Sequence, residues 1–286
     1  MLTSFVVMVR EGFEAALVVA ILVAWVRRSG RPQLRRPLWQ GVAAAALVSV
    51  ATGVTVHLTV EQLAGADRLR AFAAISLTAV AVLTWMVLWM RRHAQGISGE
   101  LRTSMERAAS DGSATRIAWA VAAAAFVAVV REGLEASLFL LAISTGDSGL
   151  AVLVGGMAGL VLAGTLGWLV VLGGMRIPMR QFFRVTGVVL IVFAAGLLAR
   201  AVMFLQASGD LGSALISLYD LTGFGWLTQA SDVGRFLAAL LGWDPRPSLE
   251  QAVVWLAYLM PALMIFLRPP LQVTVVTRQP LRRTPR

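Results

Sequence analysis

Arg10, Glu11 and Glu14 stand together in the run Val9-Arg10-Glu11-Gly12-Phe13-Glu14-Ala15-Ala16-Leu17, and Arg131, Glu132 and Glu135 repeat the pattern in Val130-Arg131-Glu132-Gly133-Leu134-Glu135-Ala136-Ser137-Leu138. Seven of the nine positions are identical, at a spacing of 121 residues. Four carboxylates and two guanidiniums sum to −2, a charge that suits a multivalent cation. Ligands that are all oxygen favour hard cations, whereas zinc or copper normally recruits His, Cys or Met. The arginines can hold the carboxylates in place and limit their mutual repulsion while no ion is bound.

Each copy lies in a long apolar run. Leu2 to Val26 holds no other charge, and Ile117 to Ser144 holds none besides its own three. Those are lengths that span a bilayer. Positions three apart on an α-helix lie about 60° apart around the axis, so Glu11 and Glu14 share a face, as do Glu132 and Glu135. Arg10 and Arg131 each precede the second glutamate by one turn and can pair with it. Six charges facing lipid at roughly 2.5–3.5 kcal/mol each would cost on the order of 15–20 kcal/mol, more than the net stability of a typical domain. Both triads must therefore face the interior of a helix bundle. Gly12 and Gly133 beside them allow a neighbouring helix to come close.

The whole chain has the composition such a bundle needs. Of its 286 residues 58% are hydrophobic and 14% charged, with a mean hydropathy of +0.77, the profile of a single all-α polytopic membrane domain. There is no cysteine, which excludes a disulfide framework and a thiolate metal site. All 25 basic residues are arginine and the net charge is +10. Because these arginines flank apolar segments in short loops, they report topology and not nucleic-acid binding. The first apolar run has no basic region ahead of it and Arg27-Arg28 behind it, so we expect a retained span, not a cleaved signal peptide.

Seven spans follow, at about Leu2–Val26, Pro37–Val60, Leu69–Met90, Ile117–Ile143, Gly149–Gly174, Val185–Gln206 and Gln251–Leu267. Placing the N-terminus outside and the C-terminus inside puts 18 arginines on the cytoplasmic side, four outside, counting Arg70 at the outer edge of span 3, and three deeper within spans, as the positive-inside rule requires. Span 1 then descends where span 4 ascends, so spans 1–3 and 4–6 form a candidate inverted repeat. At 1.5 Å per residue the four glutamates, about 8–12 residues from the outer ends of their spans, fall within one slab. The expected organisation is a first three-helix repeat at 1–90, a cytoplasmic connector at 91–116, a second repeat at 117–206, an extracytoplasmic loop at 207–250, and a seventh helix with a basic tail at 251–286. The connector is rich in Ser, Gly and Glu. Glycines 155, 156, 159, 164 and 167 of span 5 permit close helix approach, and an oligomer without requiring one.

Iron, ferric iron above all, is hard enough for such a site, and so are calcium, magnesium and manganese; residue type does not choose among them. A structural ion pair gluing helices is the weaker reading, because a duplicated, doubly acidic triad exceeds what packing needs. A membrane di-iron enzyme would call for Glu-x-x-His pairs, and neither His57 nor His93 has a glutamate three residues before it; both read as interfacial. Met8, Met86, Met90 and Met203 read as gap-fillers, and Trp25, Trp39, Trp85, Trp89 and Trp255 mostly as interface markers. Arg200 snorkels from span 6 towards the outer surface or faces the pathway. Asp210, Asp220, Asp232 and Asp244 read as solvated loop carboxylates, with collection of cations as the rival role.

Two Arg-Glu-Gly-x-Glu motifs in the first and fourth of seven spans resemble the oxidase-dependent iron transporter family, which includes the fungal high-affinity iron permease and bacterial ferrous or ferric iron permeases. Phe182-Phe183-Arg184-Val185-Thr186-Gly187 with Ala194-Ala195-Gly196-Leu197-Leu198, and Leu240-Leu241-Gly242-Trp243 with Pro245 and Pro247-Ser248, also resemble that family. The resemblance implies a non-enzymatic, multi-pass iron permease of the cytoplasmic membrane. Its iron-handling glutamates fall on Glu11, Glu14, Glu132 and Glu135, completed by Arg10 and Arg131. Iron, ferrous or ferric, is then the transported substrate and not a resident cofactor. The resemblance also implies extracytoplasmic iron-oxidising and iron-binding partners. Some relatives carry a large extracytoplasmic N-terminal domain that has no counterpart here, which assigns iron delivery to another protein and makes 207–250 the candidate docking surface. The alternatives are a permease for another cation, such as lead or manganese, and a membrane oxidoreductase using iron as cofactor.

Overall fold

The computed structural model describes residues 1–93, 113–144, 149–171 and 179–268. Most of the 91–116 connector, the 145–148 turn, the start of the loop before span 6 and the tail beyond Arg268 lie outside the described residues. Those residues form eight α-helices and no strand: α1 (Leu2–Arg28), α2 (Arg35–Gln62), α3 (Gly65–His93), α4 (Ala114–Ser144), α5 (Gly149–Val171), α6 (Met179–Ala207), α7 (Asp232–Leu241) and α8 (Leu249–Leu267), with short 3-10 turns at Pro32–Leu34 and Gly225–Leu227. Helix is the expected solution, because in hydrocarbon each backbone N–H and C=O must find its partner within its own segment. Six helices, α2 to α6 and α8, are long and apolar enough to cross a membrane. At 27 residues α1 has the length and carries the three charges of the first motif. Apart from α5, whose expected end at Gly174 lies outside the described residues, the helices extend a few residues past the expected spans, since a charge ends an apolar run but not a helix.

The packing follows small residues. α1 lies along α5 and against α4, α2 lies along α4, and α3 lies along α6, which also holds α7 and α8. On the α5 face towards α1, a Cβ on Gly159 would sit 2.5 Å from the Phe5 carbonyl oxygen, and one on Gly167 would sit 2.5 Å from the Ala16 Cβ. That stripe is spent inside the bundle; Gly164 faces open space. The four main pairings are unchanged when α1, α2 and α3 are exchanged with α4, α5 and α6, although α3 also packs on α4 with no equal contact of α6 on α1 among the described residues. Under that exchange α1 on α5 becomes α4 on α2, while α1 on α4 and α3 on α6 map onto themselves. Apolar side chains of α3, α6 and α8, with Val7 and Phe139, fill one core, and Leu22, Val26, Leu38, Ile117 and Val121 close the other end of the bundle.

The segment between α6 and α8 is more ordered than a loop. Ser231 caps α7 by accepting from the Gly234 N–H, and Gly242 ends it in the left-handed conformation at φ 67°. Gly242 is seated on Gly196: a Cβ on Gly196 would lie 2.5 Å from the Gly242 nitrogen. Gly196 is eleven residues before Ala207, about 16 Å of helix, so α7 folds back alongside α6. Its carboxylates serve the fold. Asp210 takes two charge-assisted bonds from Arg70, at 2.7 and 2.8 Å, and Arg70 with Ser208 holds it down to about 2. Asp220 meets Arg246 at 3.3 Å, and Asp244 accepts from the Arg246 N–H. These contacts fit loop carboxylates bound into the structure better than collectors of cations. A capping box at Ser248 and Gln251 starts α8.

Candidate functional site

α1 and α4 bring the two motifs face to face, and α2 and α5 set how closely. A Cβ on Gly12 would sit 2.9 Å from that of Ala163 on α5; one on Gly133 would run into the Ser49 hydroxyl of α2. Ser137, one turn on, donates to the Gly133 carbonyl at 2.8 Å and to that of Ser49 at 3.1 Å. Each motif glycine is thus the seat for the second helix of the other half. This is the close approach that its position beside the glutamates led us to expect.

The two arginines are held differently. Arg10 is 2% exposed. Its Nη1 donates to Glu11 Oε1 at 2.6 Å and lies 3.3 Å from Met86 Sδ. Its Nη2 stands 2.9 Å from Glu14 Oε1, close enough for charge attraction but not aligned for a hydrogen bond. Arg131 is 35% exposed, and its Nε donates to Glu135 Oε1 at 3.1 Å and lies 3.9 Å from Glu132 Oε1. Its guanidinium sits over two indoles, 5.5 Å from the Trp85 ring centroid and 5.1 Å from that of Trp89.

Between the arginines lies a carboxylate cluster. One oxygen from each of Glu11, Glu132 and Glu135 falls within 4.8 Å of the other two, and Glu14 joins through Arg10. Glu11 Oε2, Glu132 Oε2 and Glu135 Oε2 are buried and have no hydrogen-bond partner among the described residues. Such orphaned acceptors are costly in a protein interior. A hard cation with metal–oxygen bonds of about 2.0–2.6 Å bridges oxygens at this separation.

All six motif residues expected at the site are therefore assembled there. Trp85, Trp89 and Met86 were not foreseen: α3 supplies the neutral partners of both guanidiniums, from residues read as interface markers and gap-filler. The signal available was two tryptophans at i and i+4 flanking a methionine within one span. Trp255 instead ties α8 to α7 through its indole N–H on the Leu241 carbonyl. His57 pairs with Glu61 on an exposed helix face, at 3.2 Å. Arg200 lines a small cavity with Met203, Trp243, Asp244 and Gln251, apart from the carboxylates.

Comparison with known proteins agrees with this arrangement. Residues 1–280 match the model of the iron permease FTR1 family. The chain is 33% identical over 270 residues to the ferrous iron permease EfeU of Yersinia pestis, covering 94% of each. It is 33% identical over 266 residues to that of Yersinia pseudotuberculosis, covering 93% of this chain and 92% of the relative. Against EfeU of Escherichia coli O6:K15:H31 it is 32% identical over 270 residues, covering 94% of this chain and 96% of the relative. No solved structure matches the chain. These relatives are named as permeases and not as enzymes. With a match that runs nearly end to end and takes in both acidic motifs, the chain belongs to the iron permease FTR1 family.

Proposed function

We propose that this chain moves iron across the cytoplasmic membrane through one carboxylate site shared by its two motifs. The observation that carries the reading is the convergence of Glu11, Glu132 and Glu135 within 4.8 Å, from helices whose motifs lie 121 residues apart in sequence. Iron reaches the outer face, exchanges water for carboxylate oxygens, and leaves inward when the halves 1–90 and 117–206 rearrange. Arg10 and Arg131 keep the glutamates oriented between ions, and the glutamates exchange protons as iron enters and leaves. Ferrous iron is the species in the names of the relatives, and we take it as the substrate.

This reading has seven spans, the N-terminus outside and the C-terminus inside, with α1–α3 and α4–α6 as an inverted repeat. The self-consistent exchange of helix pairs supports the repeat. The segment 207–250 is our candidate docking surface for an extracytoplasmic protein that binds and delivers iron. The test is uptake of radiolabelled iron into proteoliposomes by the intact protein and by equally folded Glu11→Gln and Glu135→Gln variants, with manganese and lead as competitors. We expect uptake to vanish in both variants; undiminished uptake in either overturns the reading.

A further inference from the structure

We propose that Trp85 and Trp89 are positioning residues of the iron site, acting through Arg131. The inference rests on the shared carboxylate site proposed above. A guanidinium carries five N–H donors and pairs readily with both oxygens of one carboxylate. A freely rotating Arg131 would cover both oxygens of Glu135 and compete with a cation for them. In the structure only its Nε edge meets the carboxylate, at Glu135 Oε1, and Oε2 has no hydrogen-bond partner among the described residues. Glu11 shows the same division, with Oε1 on Arg10 and Oε2 unpartnered. Arg10 is fixed by enclosure, at 2% exposure. Arg131, at 35%, lacks that enclosure, and the indoles take its place.

The geometry is that of a platform and not of core filling. Residues four apart share a helix face, and the rings of Trp85 and Trp89 stack with centroids 6.3 Å apart. The guanidinium carbon lies within about 6 Å of both centroids, the range of cation–π attraction. Trp85 is 57% exposed, so its burial does not explain its place. Met86, next to Trp85, turns to Arg10, and α3 thereby sets both guanidiniums at once.

The test is equilibrium binding of ferrous ion, without oxygen, to the purified full chain. Replacing both tryptophans by leucine should weaken binding about three- to tenfold, and replacing both by phenylalanine should weaken it less, because the ring face is kept. In an Arg131→Gln background the leucine substitutions should add nothing. If the double leucine variant does not fold, Trp89→Leu alone carries the same comparison. Unchanged affinity in the leucine variants, equal loss with leucine and phenylalanine, or the same loss without Arg131 overturns the inference while leaving the carboxylate site standing. Failure of the intact protein to bind ferrous ion overturns the site itself, and this inference with it.

Discussion

Arg10 and Arg131 occupy equivalent places in two copies of one motif, yet their surroundings predict different consequences of removal. Arg10 pairs with Glu11, itself 1% exposed, and stands against Glu14. Breaking a buried pair by deleting one partner costs about 3–5 kcal/mol, because the other charge stays behind unpaired. We therefore expect Arg10→Gln to lower the thermal midpoint of the detergent-solubilised protein severely and Arg131→Gln to lower it less, since Arg10 is fully enclosed against two carboxylates whereas Arg131 is itself 35% exposed. A thermal melt of both variants checks this; equal losses would mean that the enclosure of Arg10 adds nothing. The six motif residues were legible in the sequence, because charge in an apolar span has few explanations and a repeat at fixed spacing has fewer. Their partners Met86, Trp85 and Trp89 were not, since they come from another helix and nothing local marks which face of α3 meets the arginines.

Helix packing here is decided where a side chain is missing. Gly133 admits Ser49 so closely that a Cβ would stand 2.7 Å from that of the serine, and overpacking of this kind typically costs about 1–3 kcal/mol. Gly133→Ala should destabilise the protein by an amount in that range, and Ser49→Gly added to it should recover most of the loss in the same melt. No recovery would mean that α2 and α4 are not held apart by this contact. At Gly196 the obstacle is the backbone of Leu241 and Gly242, which has no side chain to trim. The long helices were readable from apolar length, while α7 was missed because ten residues fall far short of a span. Its signals were present in Ser231 as N-cap and Gly242 just past its end, inside a segment read for its aspartates, its family resemblance and docking, and not for a helix.

At the scale of the whole molecule, the reading we propose has two three-helix halves that each contribute their one acidic motif to a single site. The orientation we propose is open to labelling, because the chain contains no cysteine. A cysteine at Gln33, in the turn before α2, should react with a membrane-impermeant thiol reagent only from the cytoplasmic side, and one at Ala64, before α3, only from outside; the reverse pattern would invert the topology. Composition and the arginine pattern made the bundle legible, but not which helices touch. That depended on the stripe of small residues on α5 and on the Gly133 seat, whose partners are set only when all helices pack together. The most direct test of the account is the stoichiometry of ferrous ion bound by the purified chain, in the intact protein and in variants disabled in one motif at a time, Glu11→Gln or Glu132→Gln with Glu135→Gln. A single shared site predicts one ion per chain, lost entirely when either motif is disabled. Two ions per chain, with one retained after either motif is removed, would show two independent sites and contradict it.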